Sequence, residues 1–246
     1  MEKNWFKSWF NSSFYHKLYF DRDEIEATAF INNLLFFLQP PTGSKMLDVA
    51  CGRGRHSVTL ALNGFSVTGL DISEESIAFA KQFENENLDF HQHDMRLHFR
   101  SNCYNYAFNI FTSMGYFDSR KEDDDALHTI ANSLKPNGYF IIDFLNVAYA
   151  EKRLIADEEQ IIDDTHYKIH RWQTKTHFLK RIQITDPSLS VPMEHTEKVQ
   201  KFRLADFSEM LGHHHLHILE VFGDYQLQSF DIDISPRLIL IVQKPN

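Results

Sequence analysis

Leu47-Asp48-Val49-Ala50-Cys51-Gly52-Arg53-Gly54 is the stretch on which the reading of the fold turns. Met46 to Ala50 has the apolar density of a buried strand, and residues 55–63 read as a helix that Gly64 stops. Two glycines therefore fall where a first strand turns into a first helix. Without a Cβ they let a ligand approach the backbone, and the helix N-terminus behind them offers unpaired N–H groups. Glycine is scarce in this chain: nine in 246 residues, about half of average usage. Five of the nine lie between positions 43 and 69, so where they are placed carries information.

The next strand, Phe65 to Leu70, ends at Asp71, 17 residues after Gly54. A carboxylate there is placed to accept hydrogen bonds from both hydroxyls of a ribose. Loop and acid together point to a nucleoside cofactor. The dinucleotide fingerprint needs a third glycine at position 57, where Ser57 stands. Asp48 would also repel a pyrophosphate, whereas the cationic ammonium of a sulfonium amino acid meets no such repulsion.

Around this unit strands and helices alternate. A helix is expected from Asp23 to Leu38, ended by Pro40-Pro41. Ser73 is expected to cap a helix that opens with Glu74-Glu75. Leu88 to His93 and Tyr106 to Phe111 read as the third and fourth strands, Asp118 to Leu134 as a helix, and Tyr139 to Phe144 as the fifth strand. The helix buries Leu127, Ile130, Ala131 and Leu134, and the acids 122–125 near its start read as solvated charge. Such alternation implies an α/β fold around a parallel sheet. From Ile161 to Leu204 the period changes to two, which predicts a small antiparallel insert of about three strands. A helix near Ala205–Leu211, stopped by Gly212, and strands near Leu216–Phe222 and Leu238–Val242 complete the pattern.

In these motifs the chain resembles the class I S-adenosylmethionine-dependent methyltransferases, in their small-molecule branch. The resemblance covers residues 40–145 and again 205–242. Asp48-Val49-Ala50-Cys51-Gly52-Arg53-Gly54 matches the first motif, with Ala50 at its first glycine. Thr68-Gly69-Leu70-Asp71-Ile72-Ser73, His93-Asp94-Met95, Phe108-Asn109-Ile110-Phe111-Thr112-Ser113 and Leu134-Lys135-Pro136-Asn137-Gly138-Tyr139 follow in family order.

The resemblance implies a Rossmann-like, doubly wound seven-stranded sheet with helices on both faces and the antiparallel β insert after the fifth strand. The chain divides into a helical cap (1–40), a cofactor-binding core (41–150), the insert (151–204) and a closing helix with two strands (205–246), all one methyltransferase domain. It implies S-adenosyl-L-methionine as cofactor and S-adenosyl-L-homocysteine as product. Asp48, Ala50, Cys51, Gly52 and Gly54 belong to the cofactor loop, whose backbone around Ala50 and Gly52 meets the methionine part. Asp71 holds the ribose, Ile72 and Met95 sandwich the adenine, and Asp94 binds its amino group. Phe111 joins this set from the fourth strand, and Tyr15, Tyr19 and Arg22 from the cap, where Arg22 is placed to pair with the cofactor carboxylate. Tyr116, Asn146 and Tyr149 are the expected acceptor pocket. The family has no universal catalytic residue, so none is assigned.

The first 20 residues carry eight aromatics, and the Trp5/Trp9 and Phe6/Phe10 pairs fall four apart, on one face of a helix. Such a segment packs on the domain or covers a pocket suited to a cationic or planar acceptor. The net charge of −9 disfavours DNA and, less firmly, RNA. The Asp/Asn-Pro-Pro-aromatic motif of amino-methylating nucleic-acid enzymes is absent, since Thr112-Ser113-Met114-Gly115 stands in its place. A basic face on the insert, Lys168, Arg171, Lys175, Lys180 and Arg181, is the one feature favouring a macromolecular acceptor. No apolar run is long enough to span a bilayer. Two cysteines and no apolar leader lead us to expect a reducing, cytoplasmic setting. No metal is expected: the His213-His214-His215-Leu216-His217 run falls at a turn away from the pocket. Of His91, His93 and His98, at most one lines the adenine site. The 22 phenylalanines read as core. Monomer and homodimer both remain open.

Overall fold

Seven of eleven strands build the central sheet in the computed structural model, which describes residues 4–19 and 24–246. In chain order the strands are β1 (Lys45–Val49), β2 (Ser66–Asp71), β3 (Leu88–Gln92), β4 (Tyr104–Asn109), β5 (Leu134–Leu145), β6 (Asp157–Ile162), β7 (Thr165–Gln173), β8 (His177–Thr185), β9 (Met193–Gln200), β10 (His217–Phe222) and β11 (Arg237–Gln243). The main sheet runs β3-β2-β1-β4-β5-β11-β10. Its first five strands are parallel, and β11 runs antiparallel to both neighbours. Strand order reverses between β1 and β4, which opens a cleft at their carboxyl ends. Because β11 is antiparallel, its first residue, Arg237, lies at that same edge beside Leu145.

Helices α1 (Trp5–Phe10), α2 (Ser13–Leu18), α3 (Glu24–Leu38), α4 (Arg55–Leu62), α5 (Glu74–Ala80), α6 (Arg120–Ser133), α7 (Val147–Lys152) and α8 (Leu204–His213) complete the chain. Alternate strand residues serve opposite faces, as the pleat requires. Phe140, Ile142, Phe144, Leu238, Leu240 and Val242 join Trp9, Leu127 and Phe207 on one face. Ile141, Ile239 and Ile241 join Phe30, Leu34 and Leu60 on the other. Both faces are thus covered, which is the doubly wound arrangement expected. Much of the phenylalanine excess is core: Phe30, Phe90, Phe108, Phe140, Phe144, Phe202 and Phe207 are fully buried.

Several boundaries differ from expectation. The aromatic N-terminal segment forms two short helices, because Ser12 interrupts the first and its Oγ accepts from the Phe14 amide. The insert has four strands in the order β6-β7-β8-β9, since polar residues 157–160 extend the sheet on its edge. Ile110 and Phe111 leave β4 for the reason given below. Gly212 lies inside α8, which ends at His213. The expected cap is made, Ser73 Oγ accepting from Ser76 N at 3.1 Å, and the structure adds a capping box of Ser119 with Glu122 on α6. Among the described residues, no helix is long and apolar enough to cross a membrane.

Candidate active site

The β1–α4 turn is built from one buried acid and its neighbours. Asp48 is buried under the loop and accepts from Ser57 Oγ at 2.6 Å. Burial pushes its carboxyl up to about 6, with the Ser57 bond opposing and Asp71 adding to the rise. The serine that breaks the dinucleotide fingerprint is therefore the one that steadies the motif acid. Ala50 takes φ 60, the left-handed region that glycine enters without penalty. Gly52 has φ 56, and a Cβ added there would stand in open space. Its amide donates to Asp71 Oδ2 at 2.8 Å, while Asp71 Oδ1 takes the Ser73 amide at 2.8 Å. Burial raises the Asp71 carboxyl and these backbone bonds oppose the rise. Gly54 caps α4 at φ 85; a Cβ would lie 2.6 Å from the Phe90 ring, so this glycine serves packing.

A cavity of about 730 Å³ opens over this loop. That volume is within the roughly 300–1,000 Å³ of small-ligand sites. Ala50, Cys51, Gly52, Asp71, Ile72, Asp94, Met95, Phe111, Tyr15 and Tyr116 all line it, so distant motifs converge on one space. Asp48 and Gly54 support the loop from behind. Arg22 lies outside the described residues. His93 is the one histidine of its group in the lining, its Nε2 3.0 Å from the Leu97 carbonyl oxygen. Burial, helped by Asp48 and Asp71, pushes the Cys51 thiol well up, so this cysteine packs as a neutral group.

Asp94 is more committed than expected. Arg96 closes on it with Nε at 2.9 Å from Oδ1 and Nη2 at 2.6 Å from Oδ2, and the Arg96 amide adds 3.1 Å to Oδ1. Burial alone would raise its carboxyl, but the Arg96 bonds prevail and hold it below the usual range.

Two of the expected pocket residues stand elsewhere. Asn146 is consumed by structure: Oδ1 caps α7 through the Ala148 amide, and Nδ2 donates to the Ile232 and Ser235 carbonyls at 2.9 and 2.8 Å. Tyr149 packs under Arg153, 4.0 Å from its ring centroid, and is not part of the cavity wall.

Sequence reasoning missed several wall residues. Phe6 and Phe10 of α1, Val199 of β9 and Arg237 of β11 all face the cavity. Tyr116 meets the rings of Trp5 and Phe10 at 5.9 and 5.3 Å. Behind this roof Glu197 of β9 accepts from Trp9 Nε1 at 2.7 Å and from Tyr19 OH at 2.8 Å. Burial, then Glu197, raises the Tyr19 hydroxyl well above its ordinary range, so it stays a donor, and Lys180 donates to the same hydroxyl. The helical spacing of Phe6 and Phe10 marks a packing or covering face, whereas Val199, Glu197 and Arg237 carry no local signal; α1 and the insert meet only in three dimensions.

The β4 exit is strained. Phe111 and Thr112 take φ 68 and 58, a conformation that costs non-glycine residues about 1–3 kcal/mol each. Asp143, fully buried on β5, holds it: Oδ2 accepts from Phe111 N at 2.8 Å and its carbonyl from Thr112 N at 2.9 Å. This pull ends β4 at Asn109, earlier than the pattern predicts. Asp143 Oδ1 takes Arg237 Nε at 2.7 Å, and Arg237 Nη2 donates to Thr112 Oγ1 at 3.0 Å. Among the described residues, no group of three His, Cys, Asp or Glu side chains is arranged to hold a metal. The histidine run packs on α6, with His214 Nε2 3.0 Å from Asp124.

A glycine-bent loop, a ribose-positioned carboxylate and a cavity at the strand-order reversal define a nucleoside-cofactor enzyme. A family model described as a methyltransferase domain matches residues 41–185. The chain belongs to that family, and residues 41–185 lie in a class I S-adenosylmethionine-dependent methyltransferase domain. Bacillus subtilis YqeM, itself named only provisionally as a methyltransferase, is 32% identical over 109 residues, 42% of this chain and 43% of that protein. A Streptomyces venezuelae dTDP-3-amino-3,4,6-trideoxy-alpha-D-glucopyranose N,N-dimethyltransferase is 29% identical over 103 residues, 42% of this chain and 43% of the relative. The chain thus spans less than half of the curated relatives it matches. An S-adenosylmethionine-dependent methyltransferase from Clostridium acetobutylicum has the same fold at TM-score 0.78 and 18% identity, over 95% of this chain and 97% of that one.

Proposed function

We propose that the chain works as a single methyltransferase domain that passes a methyl group to nitrogen or oxygen of a small-molecule acceptor. The observation that carries this reading is the cavity itself. Cofactor-loop residues form one end, and a roof of Phe6, Phe10, Tyr15 and Val199 closes over the other. A roofed space of this size suits a small molecule better than a folded protein or a duplex. The amino-sugar relative supports an acceptor of that kind.

The basic face on the insert gives little support to RNA. Lys168 pairs with Glu159 at 3.8 Å, Arg171 with Glu158 at 2.5 Å, and Lys180 with Glu197 at 3.8 Å. With three of the five basic residues paired to acids in this way, less charge is left for phosphates. Both cysteines are free thiols, in keeping with a reducing cytoplasm.

The residues fit S-adenosylmethionine. Asp71 retains acceptor capacity toward a ribose, Ile72 and Met95 face the adenine end, and Gly52 leaves room for the methionine part. When bound, the cofactor supplies a methyl group already activated on sulfonium. The chain's own task is then orientation: the strained Phe111–Thr112 turn and Tyr116 fix the wall against which the acceptor lies. Holding two reactants in line is worth on the order of 7–11 kcal/mol. Closing the aromatic roof excludes water that would compete for the methyl group.

Transfer of labelled methyl groups in a cell lysate, followed by size fractionation, tests the reading. Label is expected in the small-molecule fraction; label confined to RNA or protein would overturn it.

A further inference from the structure

We infer that the acceptor carries a carboxylate and that Arg237 receives it. This rests on the small-molecule methyltransferase reading above and names its substrate class.

The two arginines that pair with lining or sub-lining acids do so differently. Arg96 closes its fork on Asp94, spending Nε and Nη2 on the two carboxylate oxygens. Arg237 gives Asp143 only Nε, turns Nη2 to Thr112, and leaves Nη1 with no protein acceptor among the described residues. Its side chain is 18% exposed and lines the cavity. A guanidinium carries five donors in a rigid plane matched to carboxylate geometry. With Nε and part of Nη2 anchored, the remaining edge is fixed in place before any ligand arrives. The Phe111 and Tyr225 rings flank it at 5.9 and 5.6 Å, which limits its movement further.

Topology assigns that edge to the acceptor. Arg237 starts β11, three strands from β1 and four from β2 in the sheet order. At about 4.8 Å per strand its backbone is on the order of 14 Å from β1, and its guanidinium reaches back toward the exit of β4, where Nη2 meets Thr112. The lining charges divide in the same way. Asp71 and Asp94 stand at the nucleoside end, on the far side of β1. Of the arginines that line the cavity among the described residues, Arg53 and Arg55 belong to the cofactor loop and the start of α4, and Arg237 comes from the far strands. Among the described residues, Glu24 is the one further acid of the lining.

Two carboxylates have the right chemistry, the acceptor's and the cofactor's own, and the test separates them. The enzyme is saturated with S-adenosylhomocysteine and titrated calorimetrically with benzoate and with benzamide, which share a shape and differ in charge. Benzoate is expected to bind tenfold or more tightly than benzamide. The doubly neutral variant Arg237→Gln/Asp143→Asn erases that preference and keeps the affinity for S-adenosylhomocysteine. Arg237→Lys, which keeps the buried charge pair, retains only part of the preference and provides the reading if the double variant does not fold. No preference for benzoate in the wild type, or a preference that survives loss of Arg237, overturns the inference. So does a variant that binds S-adenosylhomocysteine weakly but 5′-methylthioadenosine normally, since Arg237 would then hold the cofactor's carboxylate. If the wild type fails to bind S-adenosylhomocysteine, the cofactor reading falls and takes this one with it.

Discussion

The two ends of the cavity are assembled on opposite principles. The nucleoside end comes from consecutive elements: β1, its loop, β2 and the turn after β3 supply Ala50, Gly52, Asp71, Ile72 and Asp94 within 45 residues. Its polar contacts are largely made by backbone amides, as at Asp71. The end proposed for the acceptor draws on Phe6, Tyr116, Val199 and Arg237, almost the whole length of the chain. Its polar contacts run through side chains on separate strands. One end is a local solution to a shared ligand, and the other is a tertiary solution to a particular one.

That contrast is easiest to break at Asp71. Asp71→Ala removes the ribose acceptor and strips the Gly52 and Ser73 amides of their partner. We expect affinity for S-adenosylhomocysteine to fall about a thousandfold, or roughly 4 kcal/mol, from several lost charge-assisted bonds. The acceptor end should stay folded, so the thermal midpoint should move far less than the affinity. Unfolding of the whole chain would show that the two ends are not separable.

Asp123 tests the acceptor end in the same way. Unlike the solvated charge expected of residues 122–125, it is fully buried beneath the β4–α6 loop, takes the Gly115 amide at 2.9 Å on Oδ1, and has no partner for Oδ2. Burial raises its carboxyl to about 7, with the Gly115 bond opposing. The folded state therefore holds this proton more tightly than the unfolded chain. Stability from this group is full below about pH 4 and is lost as pH rises through about 7. Asp123→Asn should remove that loss, leaving the variant about 3 kcal/mol more stable relative to wild type at pH 9 than at pH 4. Parallel stability curves for the two proteins across urea titrations at several pH values would refute it.

Packing sharpens the comparison from the nucleoside side. A Cβ on Gly69 would lie 2.5 Å from the Phe90 ring and 3.0 Å from Cys51 Sγ. Gly69→Ala should cost about 2 kcal/mol by overpacking, read as a lowered denaturation midpoint, and should weaken cofactor binding through the displaced Cys51. The smallest effect is expected at Asn146. Asn146→Ala loses a helix cap and two carbonyl contacts, about 1 kcal/mol of stability, with cofactor affinity unchanged. A change in affinity there would return Asn146 to the site.

What was legible in the sequence follows the same division. The glycine loop, Asp71, Ser73 and the strand–helix alternation could be read because each is set by neighbours a few residues away. The sheet order followed from the family resemblance those motifs carry. The acceptor wall could not be read so. Asn146 and Tyr149 sit at the right place in chain order, just after β5, yet one became a helix cap and the other a cation–π partner. Arg237 looks in the sequence like any charged residue just before a closing strand. Its meaning depends on β11 running antiparallel, which brings its first residue to the ligand edge. Phe111 and Thr112 carry no local mark of their left-handed geometry, because Asp143, over 30 residues away, imposes it.

Glu197 has a bearing on turnover. Its carboxylate receives Trp9 from α1 and Tyr19 from the end of α2, while its backbone belongs to β9. Lifting the aromatic helices alone would break both hydrogen bonds to a half-buried carboxylate that Lys180 balances only at 3.8 Å. Helices and insert are therefore tied to one another as a single unit. Any opening of the cavity on this side would carry the small sheet with the helices and would be correspondingly slow.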